Sequence, residues 1–223
     1  MTDKRPGRAA AVPIVVGLAA VVASAAPAGL VGQAADDPPA TIEILPLEEE
    51  TRLALSAAPK HLREGAGVLA LTSDGFVSVR GSSNGFTCVV NRDHPRSRKP
   101  TCYDAEGTAT ILPKVKLTGE LFLAGVPVAT VRRRSAEKFE EGEFIAPRRP
   151  GVAYMLSREI RNYDPRTGRT SGFPPHLMFY APNLTNDDIG FSRQARLEKP
   201  WLPFVGYQGP HGFIIVIVEP DDH

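Results

Sequence analysis

Cys88 and Cys102 are the only two cysteines among the 223 residues, and they bracket a polar, basic stretch, CVVNRDHPRSRKPTC. A dithiol redox centre would need a CxxC pair, which is absent. A structural zinc site needs four ligands at recognised spacings, and two sulfurs this far apart do not provide them. Asp93 and His94 fall between the cysteines, so a mixed metal site is conceivable, but in an oxidising compartment the first reading is a structural disulfide. No metal ligand set is assigned. The bracketed segment carries Arg92, Asp93, His94, Arg96, Arg98 and Lys99, stiffened by Pro95 and Pro100. It reads as a finger for an anion or a partner, or more plainly as a solvated loop that the bridge keeps ordered.

Two later segments rhyme. FPPHLMFYAP and QGPHGFIIVIV each place a histidine, His176 or His211, after a proline and before an apolar run. If both runs are strands pointing the same way, the two imidazoles emerge at one sheet edge. There they could act as general base, general acid or metal ligand near neutral pH. Asp187 in APNLTNDDIG, or His94 with Asp93, would supply the assisting group. The plainer reading is two hydrogen-bonded structural histidines. Tyr180, Trp201 and Tyr207 are the candidate ligand-binding aromatics, with packing over the sheet edge as the simpler alternative. Thr185 to Asp188 has the form of a capping box. The run Arg132-Arg133-Arg134, set among glutamates, reads as the wet face of an amphipathic helix. No phosphate loop, dinucleotide fingerprint or HExxH occurs, and no cofactor is expected.

Compartment decides the sulfur chemistry, and the N-terminus speaks to compartment. A cationic start, MTDKRPGR, precedes the uncharged run Ala9 to Ala35, whose densest apolar part is short for a membrane span. This is the pattern of a secretory signal peptide, residues 1–35, with cleavage after Ala25 or after Ala34 or Ala35. An uncleaved N-terminal anchor is the alternative. Residues 36–46 read as a linker and 47–220 as a single α+β domain. The whole chain carries a net charge of +1, and loss of Asp3, Lys4, Arg5 and Arg8 with the signal leaves it near neutral. That balance gives no electrostatic case for nucleic acid, or for a membrane beyond the signal itself.

Around the cysteines, Gly81-x-x-Asn84-Gly85-Phe86-Thr87-Cys88 followed by Pro100-Thr101-Cys102-Tyr103-Asp104 resembles a segment of uncharacterised exported bacterial proteins. Those proteins carry an NG-aromatic-TC strand and a later P-x-C-x-D, after a lead-in like LSAAPKHLREGAGVLAL. The resemblance spans roughly residues 50–107. It implies an exported fold with one disulfide and brings no known activity.

The elements that must position these groups follow from periodicity. Glu48 to Glu64 has an acidic first turn and an apolar face, interrupted at Pro59 and stopped by Gly65 and Gly67. Val68–Thr72, Phe76–Arg80 and Phe86–Asn91, separated by Ser73-Asp74-Gly75 and Asn84-Gly85, read as an antiparallel meander. Residues 119–142 form a second helical region opened by Pro127 and ended by Gly142. Val152–Leu156, Leu177–Tyr180 and Phe213–Val218 are further strands, separated by long loops. The expected fold is α+β: a mostly antiparallel sheet of five or six strands, two helical regions on one face, and one disulfide. The expected function is non-enzymatic, a periplasmic or secreted protein binding a small ligand or an envelope partner. A histidine-dependent hydrolase-like or metal-assisted enzyme and a structural envelope protein are the alternatives.

Overall fold

A computed structural model describes residues 42–219; the expected signal peptide, its cleavage sites and the first part of the expected linker lie outside the described residues. The described chain is α+β, with one large mixed sheet of eight strands in the order β2-β1-β3-β4-β5-β8-β10-β9. Among the described residues, no helix is long and apolar enough to cross a membrane. Ile42 and Leu45, within the stretch expected as linker, are already buried.

Pro46 precedes α1 (Leu47–Leu55), whose first turn holds Glu48, Glu49 and Glu50 where carboxylates favour the helix N-terminus. Pro59 caps a second short turn, α2 (Lys60–Arg63). The hairpin of β1 (Gly67–Thr72) and β2 (Gly75–Arg80) closes at Gly75, whose φ of 104° suits glycine.

The expected meander ends there. β3 (Thr87–Asn91) does not pair with β2 but runs parallel to β1, with Val68 beside Cys88. Tertiary anchoring of the Asn84-Gly85 loop is the reason. Ser83 N donates to Gly65 O at 2.8 Å, Asn84 Nδ2 to Leu62 O at 2.8 Å, and Gly67 N to Phe86 O at 2.8 Å. These bonds tie the loop to the α2–β1 junction and carry the chain across the sheet end to the far side of β1.

β4 (Lys99–Tyr103) returns antiparallel to β3, and Cys88 lies directly opposite Cys102. Pro100 sits in this central strand because β5 (Val152–Met155) covers only Cys102 and Tyr103, so no ladder partner is lost beside the proline. β8 (His176–Tyr180), β10 (Phe213–Ile217) and β9 (Phe204–Tyr207) complete the sheet, each antiparallel to its neighbour. A separate hairpin, β6 (Asn162–Asp164) with β7 (Arg169–Ser171), lies in one of the long loops expected between the later strands.

Helices cover both faces of the sheet, not one. Leu53 and Ala54 of α1 pack with Val68, Cys88, Val90 and Cys102. The alternate residues Val89, Tyr103 and Ala153 face the other way and pack with Ile111, Leu112 and Val115. A strand such as TCVVN, apolar on both faces, requires cover on both. The second layer consists of α3 (Ala105–Thr110) and α4 (Leu112–Leu123), joined by α5 (Val128–Glu140), whose Val131 is buried with Leu71 and Phe122. A last short helix, α6 (Arg193–Glu198), starts at Ser192, whose hydroxyl accepts from Ala195 N at 3.1 Å.

Candidate functional site

The disulfide joins Cys88 to Cys102, both fully buried. The paired-histidine reading is corrected by strand direction. β8 and β10 are antiparallel: His176 faces Ile217, whereas Phe213, two residues beyond His211, faces Tyr180. The imidazoles therefore lie at opposite ends of the strand pair, with about 13 Å of strand between the His176 and Tyr180 positions alone at 3.3–3.4 Å per residue. Each is buried among its own partners. His176 Nδ1 lies 2.8 Å from Pro174 O, with Phe173 edge-on to the ring. His211 Nε2 lies 3.0 Å from Ile145 O, and Phe139 meets it edge-on at 4.7 Å.

A carbonyl partner requires the His211 ring to carry its proton on Nε2, and the buried Nδ1 then has no hydrogen-bond partner. Charging the ring would bury an unpaired N–H. Burial accordingly lowers its pKa to about 4, and His176 is lowered by the same cause. Each ring is buried and bonded to its own backbone carbonyl.

The remaining candidates are also dispersed. Asp187 is exposed. Its neighbour Asp188 accepts from Thr185 N at 2.8 Å and receives the Thr185 hydroxyl at 2.7 Å. Tyr180 lies beneath the surface and donates to Asp104 Oδ1 at 2.8 Å, while the same carboxylate accepts Gly107 N and Val152 N. Burial and the Asp104 charge push the Tyr180 phenol well above its ordinary range. Tyr180 thus links Asp104, the N-cap of α3, to β5 through Val152 O. Trp201 is 63% exposed and Tyr207 43% exposed, with Lys114 Nζ 5.0 Å over the Tyr207 ring. Arg132, Arg133 and Arg134 lie on the exposed face of α5. Among the described residues, no cluster of three His, Cys, Asp or Glu could hold a metal ion.

What the fold does assemble lies at the tip of the clamped hairpin. Its backbone is fixed from within: Ser97 N donates to His94 O at 2.9 Å, and Arg96 N donates to His94 Nδ1 at 3.1 Å. It is also fixed from the β6–β7 hairpin. Arg98 and Arg161 exchange both backbone bonds, at 2.9 and 2.8 Å, and Tyr163 N donates to the buried Ser97 hydroxyl at 3.2 Å. Tyr163 stacks on His94 with ring centroids 4.0 Å apart, and the Arg96 guanidinium lies 5.0 Å over the Tyr163 ring.

Between these elements opens a cleft of about 380 Å³, lined by Glu43, Arg92, Pro95, Arg96, Arg98, Arg161 and Thr170. Arg92, only 1% exposed, donates Nη2 to Glu50 of α1 at 2.8 Å, while its buried Nε and Nη1 have no partner among the described residues. Burial lowers the Arg92 pKa and raises that of Glu50, with their mutual attraction opposing both shifts. Arg98 has a loose contact with Glu43 at 3.5 Å. The finger's one lysine, Lys99, points away to Asp93. Of the lining, the sequence flagged Arg92, Pro95, Arg96 and Arg98; Arg161, Thr170, Glu43 and the supporting Glu50 carried no local signal.

At this cleft the chain must be read on its own chemistry. No family model, curated protein or solved structure matches it.

Proposed function

We propose that this is an exported, non-enzymatic protein that binds a small ligand in the arginine-lined cleft between the clamped β3–β4 finger and the β6–β7 hairpin. The observation that carries the reading is the cleft itself: a concave site of about 380 Å³ on rigidly tethered hairpins, lined by four arginines. Ligand sites are concave, largely pre-formed, and hold a few convergent polar groups. The two histidines offer no comparable site, because each is buried and already bonded to a backbone carbonyl. Export rests on the N-terminal sequence pattern, on the resemblance of the NG-aromatic-TC segment to exported proteins, and on a disulfide of the kind oxidising compartments sustain.

A small-molecule screen on the oxidised, isotope-labelled chain tests the reading. A binder should shift the backbone amide signals of residues 92–98 and 161–170 saturably. A chemically diverse screen that yields no saturable shift in those segments would remove the proposal.

A further inference from the structure

We infer that the ligand is recognised through a dianionic oxyanion group, a phosphate, phosphomonoester or sulfate, held by Arg96, Arg98 and Arg161 over Arg92. The inference rests on the cleft being the binding site and adds the chemistry of what enters it. Four observations lead to it.

The first is the Arg98–Arg161 bridge. Residues directly opposite in an antiparallel pair project to the same face, and like charges so placed repel. Nothing in the backbone demands arginine at either position, so the fold maintains two adjacent positive charges at a cost.

The second is the charge balance of the lining. Among the described residues, four guanidiniums are set against Glu43 and the Glu50 carboxylate beneath, with Glu159 near Arg98 and Arg161 already paired to Arg52, a surplus of two positive charges. A group carrying two negative charges neutralises it.

The third is the supply of donors. Among the described residues the Arg161 side chain makes no hydrogen bond or ion pair and the Arg96 side chain makes only its ring contact, while Arg92, whose guanidinium is buried, contributes its charge from beneath. These are planar forks suited to paired bonds with oxyanions, and the one nearby lysine is turned to Asp93.

The fourth is position. Arg92 is held from below by Glu50, and Arg96 rests over the Tyr163 ring, so part of the ordering cost of binding is already met in the free protein.

Calorimetric titration of the oxidised full chain with inorganic phosphate, phenyl phosphate, sulfate, acetate and a neutral sugar tests this. Saturable 1:1 binding of at least one dianion is expected, with acetate at least tenfold weaker and the sugar silent. The ranking of phosphate, phenyl phosphate and sulfate identifies which group the cleft prefers. Arg161→Ala should weaken dianion binding at least tenfold, Arg161→Lys by less, and Arg133→Ala, on the exposed face of α5, by under twofold. Arg161 has no internal side-chain bond, so its variants should fold, as a circular dichroism melt would show. Equal losses in the Arg133 and Arg161 variants would reduce the effect to general charge and overturn the inference. Should neutral or monoanionic compounds fill the cleft while dianions do not, the inference falls and the binding proposal stands. If no compound of any charge binds, both fall.

Discussion

Arg98 and Arg161, far apart in the chain, face each other across a single antiparallel bridge and exchange both main-chain hydrogen bonds, at 2.9 and 2.8 Å. Ile160, immediately before Arg161, is buried in the core, so the bridge is anchored from inside while its arginines turn outward. The hairpin that ends at Arg98 is stapled by the disulfide and supported by the Glu50–Arg92 pair. Stability and the proposed ligand recognition would therefore meet in the same few residues.

Breaking the buried pair should be costly. Glu50→Ala leaves the Arg92 charge without a counter-ion at 1% exposure, and a loss of about 3–5 kcal/mol in urea denaturation is expected. Replacing both partners with apolar residues of similar size, Glu50→Leu with Arg92→Met, should recover most of that stability while weakening anion binding. A double variant as unstable as Glu50→Ala alone would contradict the assignment.

The two histidines give stability a pH dependence with a definite sign. His211 has an ordinary value of 6.5 lowered to about 4, so between these values the unfolded chain binds more protons. Its contribution is complete above about pH 6.5 and is lost as pH falls toward 4, reaching about 3 kcal/mol for such a shift. His176 acts in the same direction. Glu50, whose pKa is raised by burial, acts in the opposite one, so the check is a comparison of denaturation curves for wild type and His211→Gln. The variant should lose less stability between pH 6.5 and 4; identical slopes would show that His211 does not titrate as its surroundings require.

Gly107 should resist a substitution that helix propensity favours. Gly to Ala inside a helix ordinarily gains about 1 kcal/mol. Here a Cβ would collide with the Tyr180 hydroxyl. Gly107→Ala is therefore expected to destabilise, and Tyr180→Phe, which removes the hydroxyl, should relieve part of the loss. The thermal melts of the single and double variants would then be non-additive; simple additivity would place the clash elsewhere.

The disulfide closes a loop with a sequence separation of 14, for which about 3 kcal/mol of stabilisation is expected in the chain-entropy description. The Cys88→Ser/Cys102→Ser variant should fall by roughly that amount in denaturant. In unreduced, denatured protein neither sulfur should react with an alkylating reagent, and mass spectrometry showing alkylation would refute the bridge.

The sequence carried the local signals of this fold and missed the nonlocal ones. Alternation and turn chemistry marked β1, β2, β5, β8 and β10, and Pro127 with Gly142 marked α5. β4 was overlooked because KPTCY holds a proline and a lysine inside the disulfide loop; it becomes a strand through pairing with β3. α3 and the start of α4 hid behind Gly107 and Pro113, both poor helix formers elsewhere, while the end of α4 fell within the helical region expected over 119–142. The parallel β1–β3 pair could not be read because Asn84-Gly85 signals a hairpin, and the bonds that redirect it, from Ser83 to Gly65 O, Asn84 to Leu62 O and Gly67 to Phe86 O, are tertiary. The histidine rhyme failed for a related reason: a repeated local pattern says nothing about relative strand direction. The basic finger was visible, but its partner Arg161 was one charge among several in SREIRNYD, placed by a bridge that sequence spacing does not encode.

The most direct test of the cleft is to watch its guanidiniums. In nitrogen-15 NMR of the oxidised full chain, the side-chain Nε–H signals of Arg98 and Arg161 should move together on titration with phosphate, saturating at a shared dissociation constant. Those of Arg132, Arg133 and Arg134 should stay in place. If all arginine signals drift in parallel without saturation, or the Arg98 and Arg161 signals do not move, the cleft is not an anion site.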